Sequence, residues 1–182
     1  MSFFKGKYRI ESSRLESWDY SWPGWYYVTI NTRRHQTFFG EISDNTMHLS
    51  TIGEIVKEEW LKTAKIRRYL EFDEWQIMPN HLHAILIINQ QSGVERTGRA
   101  RMTGRVVSTT LKPDSLGSIL GQFKSACTKR IHNAGYKTFG WQTRFYDHII
   151  RNEEDLSRIR QYIRNNVLKW ELDEYHPANL RL

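Results

Sequence analysis

Residues 71–88 read EFDEWQIMPNHLHAILII. Glu71 to Met78 and His81 to Ile88 are rich in aromatic and β-branched residues, and Pro79-Asn80 between them turns the chain and cannot continue a ladder. The pattern predicts two antiparallel strands. On the second, residues two apart share a face, so His81 and His83 project together while Leu82 points the other way, into the core. Two histidines so placed can share a metal ion. The same spacing also suits two polar side chains on an exposed sheet face.

Working upstream, the run WYYVTINT from Trp25 has strand composition, and TFFGEI followed by MHLST around Ser43-Asp44-Asn45 predicts a hairpin that opens the sheet. Ile52, Ile55, Val56, Trp60 and Ala64 recur at helical spacing, with Thr51 as N-cap and Glu54 completing a capping box; this helix ends near Arg68. Residues 1–23 read as an N-terminal arm. Downstream, residues 89–114 are poor in apolar residues and rich in Gly, Ser, Thr and Arg, and read as a basic mobile connector. Leu116, Ile119, Leu120, Phe123, Cys127 and Ile131 then form one stripe of a second helix. A loop carrying Trp141, Gln142, Arg144 and Tyr146 leads to a third helix, opened by Glu153, Glu154 and Asp155 and striped by Leu156, Ile159, Ile163 and Val167. Tyr162 and Asn166, four apart, are neighbours beside that stripe. These elements make an α+β domain spanning 1–182, with helices packed on an antiparallel sheet.

A chain of 182 residues has the length for one core, and its single cysteine excludes an internal disulfide framework and any Cys-x-x-Cys zinc site. Neither a signal peptide nor a membrane span is legible, so a cytoplasmic location is expected. Lys and Arg number 27 against 20 Asp and Glu, a net charge of +7 that favours a polyanionic partner, and aromatics at 13% offer faces on which unpaired bases stack.

Taken together, MPNHLHAIL, SILGQFKSACTKRI and WQTRFYDHIIRNEEDLSRIRQYIRNN resemble the single-tyrosine HUH transposases, in particular the REP-associated tyrosine transposases, from about Trp25 to Trp170. The resemblance implies a ferredoxin-like antiparallel sheet with helices packed on one face. It matches His81 and His83 to the metal motif, Tyr162 to the nucleophile, and Asn166 to the amide that completes the metal site. Asn165 adjoins it, but only Asn166 lies four residues from Tyr162. The family places proline after this asparagine, where Val167 stands here, and the helix is expected to continue through it.

The implied activity is cleavage and rejoining of single-stranded DNA at hairpin, REP-like sequences. It proceeds by transesterification through a 5'-phosphotyrosine, assisted by a divalent metal, Mg2+ or Mn2+, in a bacterial monomer or homodimer without membrane association. Lys124, Lys129, Arg130, Arg144, Arg151 and Arg158, on or before the helices near the site, are the candidate DNA contacts. Two other readings use the same residues: a domesticated hairpin-binding protein that no longer cuts, and a zinc hydrolase whose activity survives Tyr162→Phe.

Overall fold

The structure, a computed structural model, describes residues 18–90 and 112–179 together with the short strand pair Phe3–Phe4 and Lys7–Tyr8. Most of the expected arm and connector lies outside the described residues. At their described ends, Trp18 donates to the Tyr26 hydroxyl and Lys112 pairs with Asp19 at 2.6 Å.

Strand β1 (Gly24–Asn31) is followed by a hairpin of β2 (Gly40–Ser43) and β3 (Thr46–Leu49), then α1 (Thr51–Lys65), β4 (Leu70–Ile77) and β5 (His81–Ile88). After the connector come α2 (Leu116–Asn133), β6 (Tyr146–Ile150), α3 (Glu153–Asn165) and a 3-10 stretch at Val167–Leu172. The main sheet has the order β4-β5-β1-β6 with every neighbouring pair antiparallel. That is the split βαβ arrangement of a ferredoxin-like fold, in which each crossover helix returns the chain to the same sheet.

Alternation along the strands decides what each face holds. Tyr26, Val28 and Ile30 of β1 and Leu82, Ala84 and Leu86 of β5 form one core with Ile52, Val56 and Trp60 of α1 and the apolar stripe of α2. Trp60 is fully buried and stacks on Phe72 with ring centroids 4.1 Å apart, so truncating it to alanine removes about 3–5 kcal/mol of packing. The expected helix layer on one face is thus α1 and α2. The opposite face holds Tyr27 and Ile85 beneath Leu156, Ile159 and Ile163 of α3. A bulge in β4 between Phe72 and Trp75 carries Asp73 and Glu74, which pair with Arg160 (2.7 Å) and Arg164 and fasten α3 to the sheet.

Four sequence expectations are corrected. The β2–β3 hairpin stands as a separate two-stranded sheet instead of opening the main one. Asp44 and Asn45 turn it with φ of 50° and 57°, the left-handed pair that a two-residue hairpin needs. The cap of α1 is Ser50, whose hydroxyl accepts from the Gly53 N–H at 3.1 Å, and Thr51 is the first helical residue. Tyr146–Ile150, in the stretch read as a loop leading to the third helix, is an edge strand. Finally, α3 does not run through Val167: it ends at Asn165, Asn166 caps it, and a 3-10 stretch follows. The buried place after Ile163 therefore goes to Asn166, while Val167 is only partly covered.

Candidate metal centre and nucleophile

His81 and His83 open β5 opposite Asn31 and Thr29 of β1, on the α3 face of the sheet, and both are 0% exposed. Their Nε2 atoms face each other at 2.8 Å. The outer nitrogens are set by neighbours. Asn80 donates through Nδ2 to the carbonyls of His35 (3.0 Å) and Tyr175 (2.6 Å), which leaves its Oδ1 facing His81 Nδ1 at 2.7 Å. An amide oxygen only accepts, so Nδ1 carries the proton and the lone pair of His81 sits on Nε2. His83 Nδ1 lies 2.8 Å from the Tyr27 hydroxyl and 3.0 Å from that of Thr29, groups that can accept its proton in the same way. Burial pushes His81 well below the ordinary imidazole range, helped by the charges of His83 and His35, and takes His83 down to about 3. Both rings are neutral at neutral pH, the form that ligates metals.

The chain past α3 brings a third donor. Asp173, itself buried, offers a carboxylate oxygen within 4.8 Å of the histidine ligand atoms. Desolvation raises its pKa, opposed by hydrogen bonds from the Tyr175 N–H and the Asn166 amide. Asn166 Nδ2 donates to Asp173 Oδ2 at 3.1 Å, and Asn166 Oδ1 is buried with no hydrogen-bond partner among the described residues. Two imidazole lone pairs, a carboxylate and an orphaned amide oxygen are a donor set that fits a divalent cation.

Tyr162 stands beside this cluster on its own chain. Its ring is edge-on to His83 with centroids 5.2 Å apart and to Tyr27 at 6.4 Å, and it is 43% exposed. Burial, then the charges of Asp173 and Glu174, push the phenol up to about 12, against hydrogen bonding from Asn166 and Tyr27. Tyr162 lines two cavities, of about 510 and 550 Å³, and Arg158 lines both as well.

Of the six basic residues singled out in the sequence, Arg158 alone lines these cavities. Lys124, Lys129 and Arg130 are on α2, across the sheet from the histidines. Arg130 bridges to Glu58 (2.6 Å) and Glu59 (2.9 Å) of α1. Lys124 donates to the Gln142 carbonyl above Trp141, and burial lowers its amine to about 8. Lys129 is exposed, as are Arg144 before β6 and Arg151 between β6 and α3. Sequence reading missed Asp173, Tyr27 and Tyr175, and placed Asn80 in the turn and within the matched segment MPNHLHAIL without giving it a role of its own. Asn80, adjoining His81, was the one legible signal.

No protein-family model matches the chain. Among solved structures, a REP-associated tyrosine transposase bound to a REP hairpin superposes with a TM-score of 0.59 at 21% identity, covering 91% of this chain and 77% of that one. The likeness establishes a shared α+β fold, an antiparallel sheet with helices packed on it. Among the described residues, no helix is long and apolar enough to cross a membrane. An uncharacterized protein of Haemophilus influenzae is 31% identical over 175 residues, which span 94% of this chain and 95% of that protein. At that identity over nearly the whole of both chains, this protein belongs to the same family as the Haemophilus influenzae protein.

Proposed function

We propose that the protein is a single-tyrosine DNA strand transesterase that cuts and rejoins single-stranded DNA at hairpin sequences. The observation that carries this reading is Tyr162 at the mouth of a buried His81, His83 and Asp173 cluster, in a fold shared with a transposase bound to a hairpin. The Tyr162 oxygen attacks a backbone phosphorus. A P–O bond to tyrosine forms, the P–O3' bond breaks, and the 3'-oxygen leaves with a proton, giving a 5'-phosphotyrosine. Because the phosphodiester bond is exchanged and not hydrolysed, a second 3'-hydroxyl can reverse the step and join strands.

The Asn166 amide and Tyr27 hydroxyl beside the phenol favour its anionic form during attack. Arg158 meets the phosphate backbone at the rim. His81, His83 and Asp173, with Asn166, would hold a magnesium or manganese ion. When bound there, the ion supplies polarisation of a phosphate oxygen and neutralises the charge that developing phosphate and Asp173 bring together.

The test is incubation of wild-type and Tyr162→Phe protein with labelled hairpin DNAs and manganese, followed by denaturing gels. A protein-linked DNA band with wild type alone is expected. Free 5'-phosphate products from both proteins would replace this reading with a metal-activated water, and binding without cutting would replace it with a hairpin-binding protein.

A further inference from the structure

The larger cavity beside Tyr162, of about 550 Å³, has the size of a small-ligand site and an aromatic wall that includes Tyr27, Tyr146 and Tyr175. The smaller one is lined instead by Gln161, Asn165 and Asn166. Strand register explains the aromatic wall. Thr29 of β1 pairs with His83 on one side and Tyr146 on the other, so Tyr146 lies in the same cross-strand row as the metal-facing histidine, two strands and roughly 10 Å away. The rings continue across that interval. His83 stacks on Tyr27 (5.7 Å, 23°), and Tyr27 meets both Tyr162 (6.4 Å) and Tyr146 (6.1 Å) edge-on. Tyr146 ends the series at the sheet edge, 44% exposed.

From this arrangement we infer that the aromatic cavity is a nucleotide subsite, in which a base next to the phosphate at Tyr162 stacks on Tyr146. The inference rests on the proposed action on single-stranded DNA and adds where the neighbouring nucleotide goes. Every base has a π-face, so a tyrosine platform holds the strand without selecting sequence. The backbone of that nucleotide passes Arg158, which is 71% exposed and held by Asp155 at 2.6 Å. His148, opposite Tyr27 in the register and 2.6 Å from the other oxygen of Asp155, closes the far side. Glu174 also lines the cavity, and a carboxylate there disfavours phosphate and leaves the space to a base.

The experiment measures equilibrium binding by fluorescence anisotropy, in a Tyr162→Phe background that cannot cut. The probes are short single strands of dA, dC or dT and a hairpin with single-stranded tails. Replacing Tyr146 by Leu should weaken all probes by a similar factor, roughly 5- to 100-fold, while Tyr146→Phe, which keeps the ring, binds like the parent. Circular dichroism melting of both variants separates lost stacking from lost fold. Parental affinity in Tyr146→Leu, a loss confined to one base, or an equal loss in Tyr146→Phe would overturn the subsite while leaving strand binding intact. A parent that binds none of the probes would instead remove the reading on which the subsite rests, and the subsite with it.

Discussion

The carboxamide of Asn80 has both N–H groups committed to carbonyls, those of His35 and Tyr175, so its oxygen can only be turned to His81. One side chain thereby fixes a tautomer and ties down the segment that delivers Asp173. The two roles separate by substitution. Asn80→Ala loses both, and manganese affinity measured by calorimetry should fall about 10- to 100-fold, as for other partners of metal-ligating histidines. Asn80→Asp keeps the acceptor for His81 and should retain most of the affinity while loosening the hold on Tyr175. Equal affinity in wild type and Asn80→Ala would show that His81 needs no orienting partner. Asp173 is tested alongside. Asp173→Asn removes the charge but keeps the shape, so manganese binding should drop at least as far as in Asn80→Ala with the fold unchanged by circular dichroism.

At the level of elements, the cap of α1 offers a direct contrast between neighbouring residues. Ser50 accepts from Gly53 N–H and donates to the Phe38 carbonyl at 2.6 Å, linking the helix start to the segment before the hairpin. Ser50→Ala should cost about 1 kcal/mol in urea unfolding, whereas Thr51→Ala should stay within about 0.5 kcal/mol. The reverse order would restore the cap read from the sequence. That reading failed by one residue because Ser50 and Thr51 are both competent caps, and tertiary contact with Phe38 chooses between them. β5 was legible to the residue, since an apolar run bounded by Pro79-Asn80 leaves little choice. β6 was not: its five residues are half polar, and they form a strand because β1 offers an unpaired edge. The candidate site divides in the same way. His81 and His83 carry a local pattern of spacing and Tyr162 a family resemblance, while Asp173 is an acidic residue in an irregular segment, brought to the histidines only by the 3-10 stretch that follows α3.

For the whole molecule, two neutral histidines under α3 and the C-terminal segment couple stability to pH. In the unfolded chain each imidazole takes a proton near pH 6.5, but the folded protein holds both well below that, His83 to about 3. Between those limits the unfolded state binds more protons, so unfolding free energy falls as pH drops, by about 1.4 kcal/mol per pH unit for each fully excluded histidine. Above the unfolded value neither contributes a slope. Asp173 works in the opposite sense, because its raised pKa lets the folded state take a proton first, yet one carboxyl opposes two imidazoles. Domains of this kind have only about 5–15 kcal/mol to lose. The metal-free protein should therefore hold a constant urea midpoint from pH 8 down to about 6.5 and lose it steeply toward pH 4. Burial also moves the acid limit of metal binding below the ~6.5 of a free imidazole. Replacing His83 with Gln should lower the slope, leaving it to His81 and to His35, which burial also holds below the ordinary imidazole range. A midpoint that stays level between pH 7 and pH 4.5 would mean that protons reach the histidines without opening the fold, and that the cover formed by α3 and the Tyr175 segment is not what keeps them neutral.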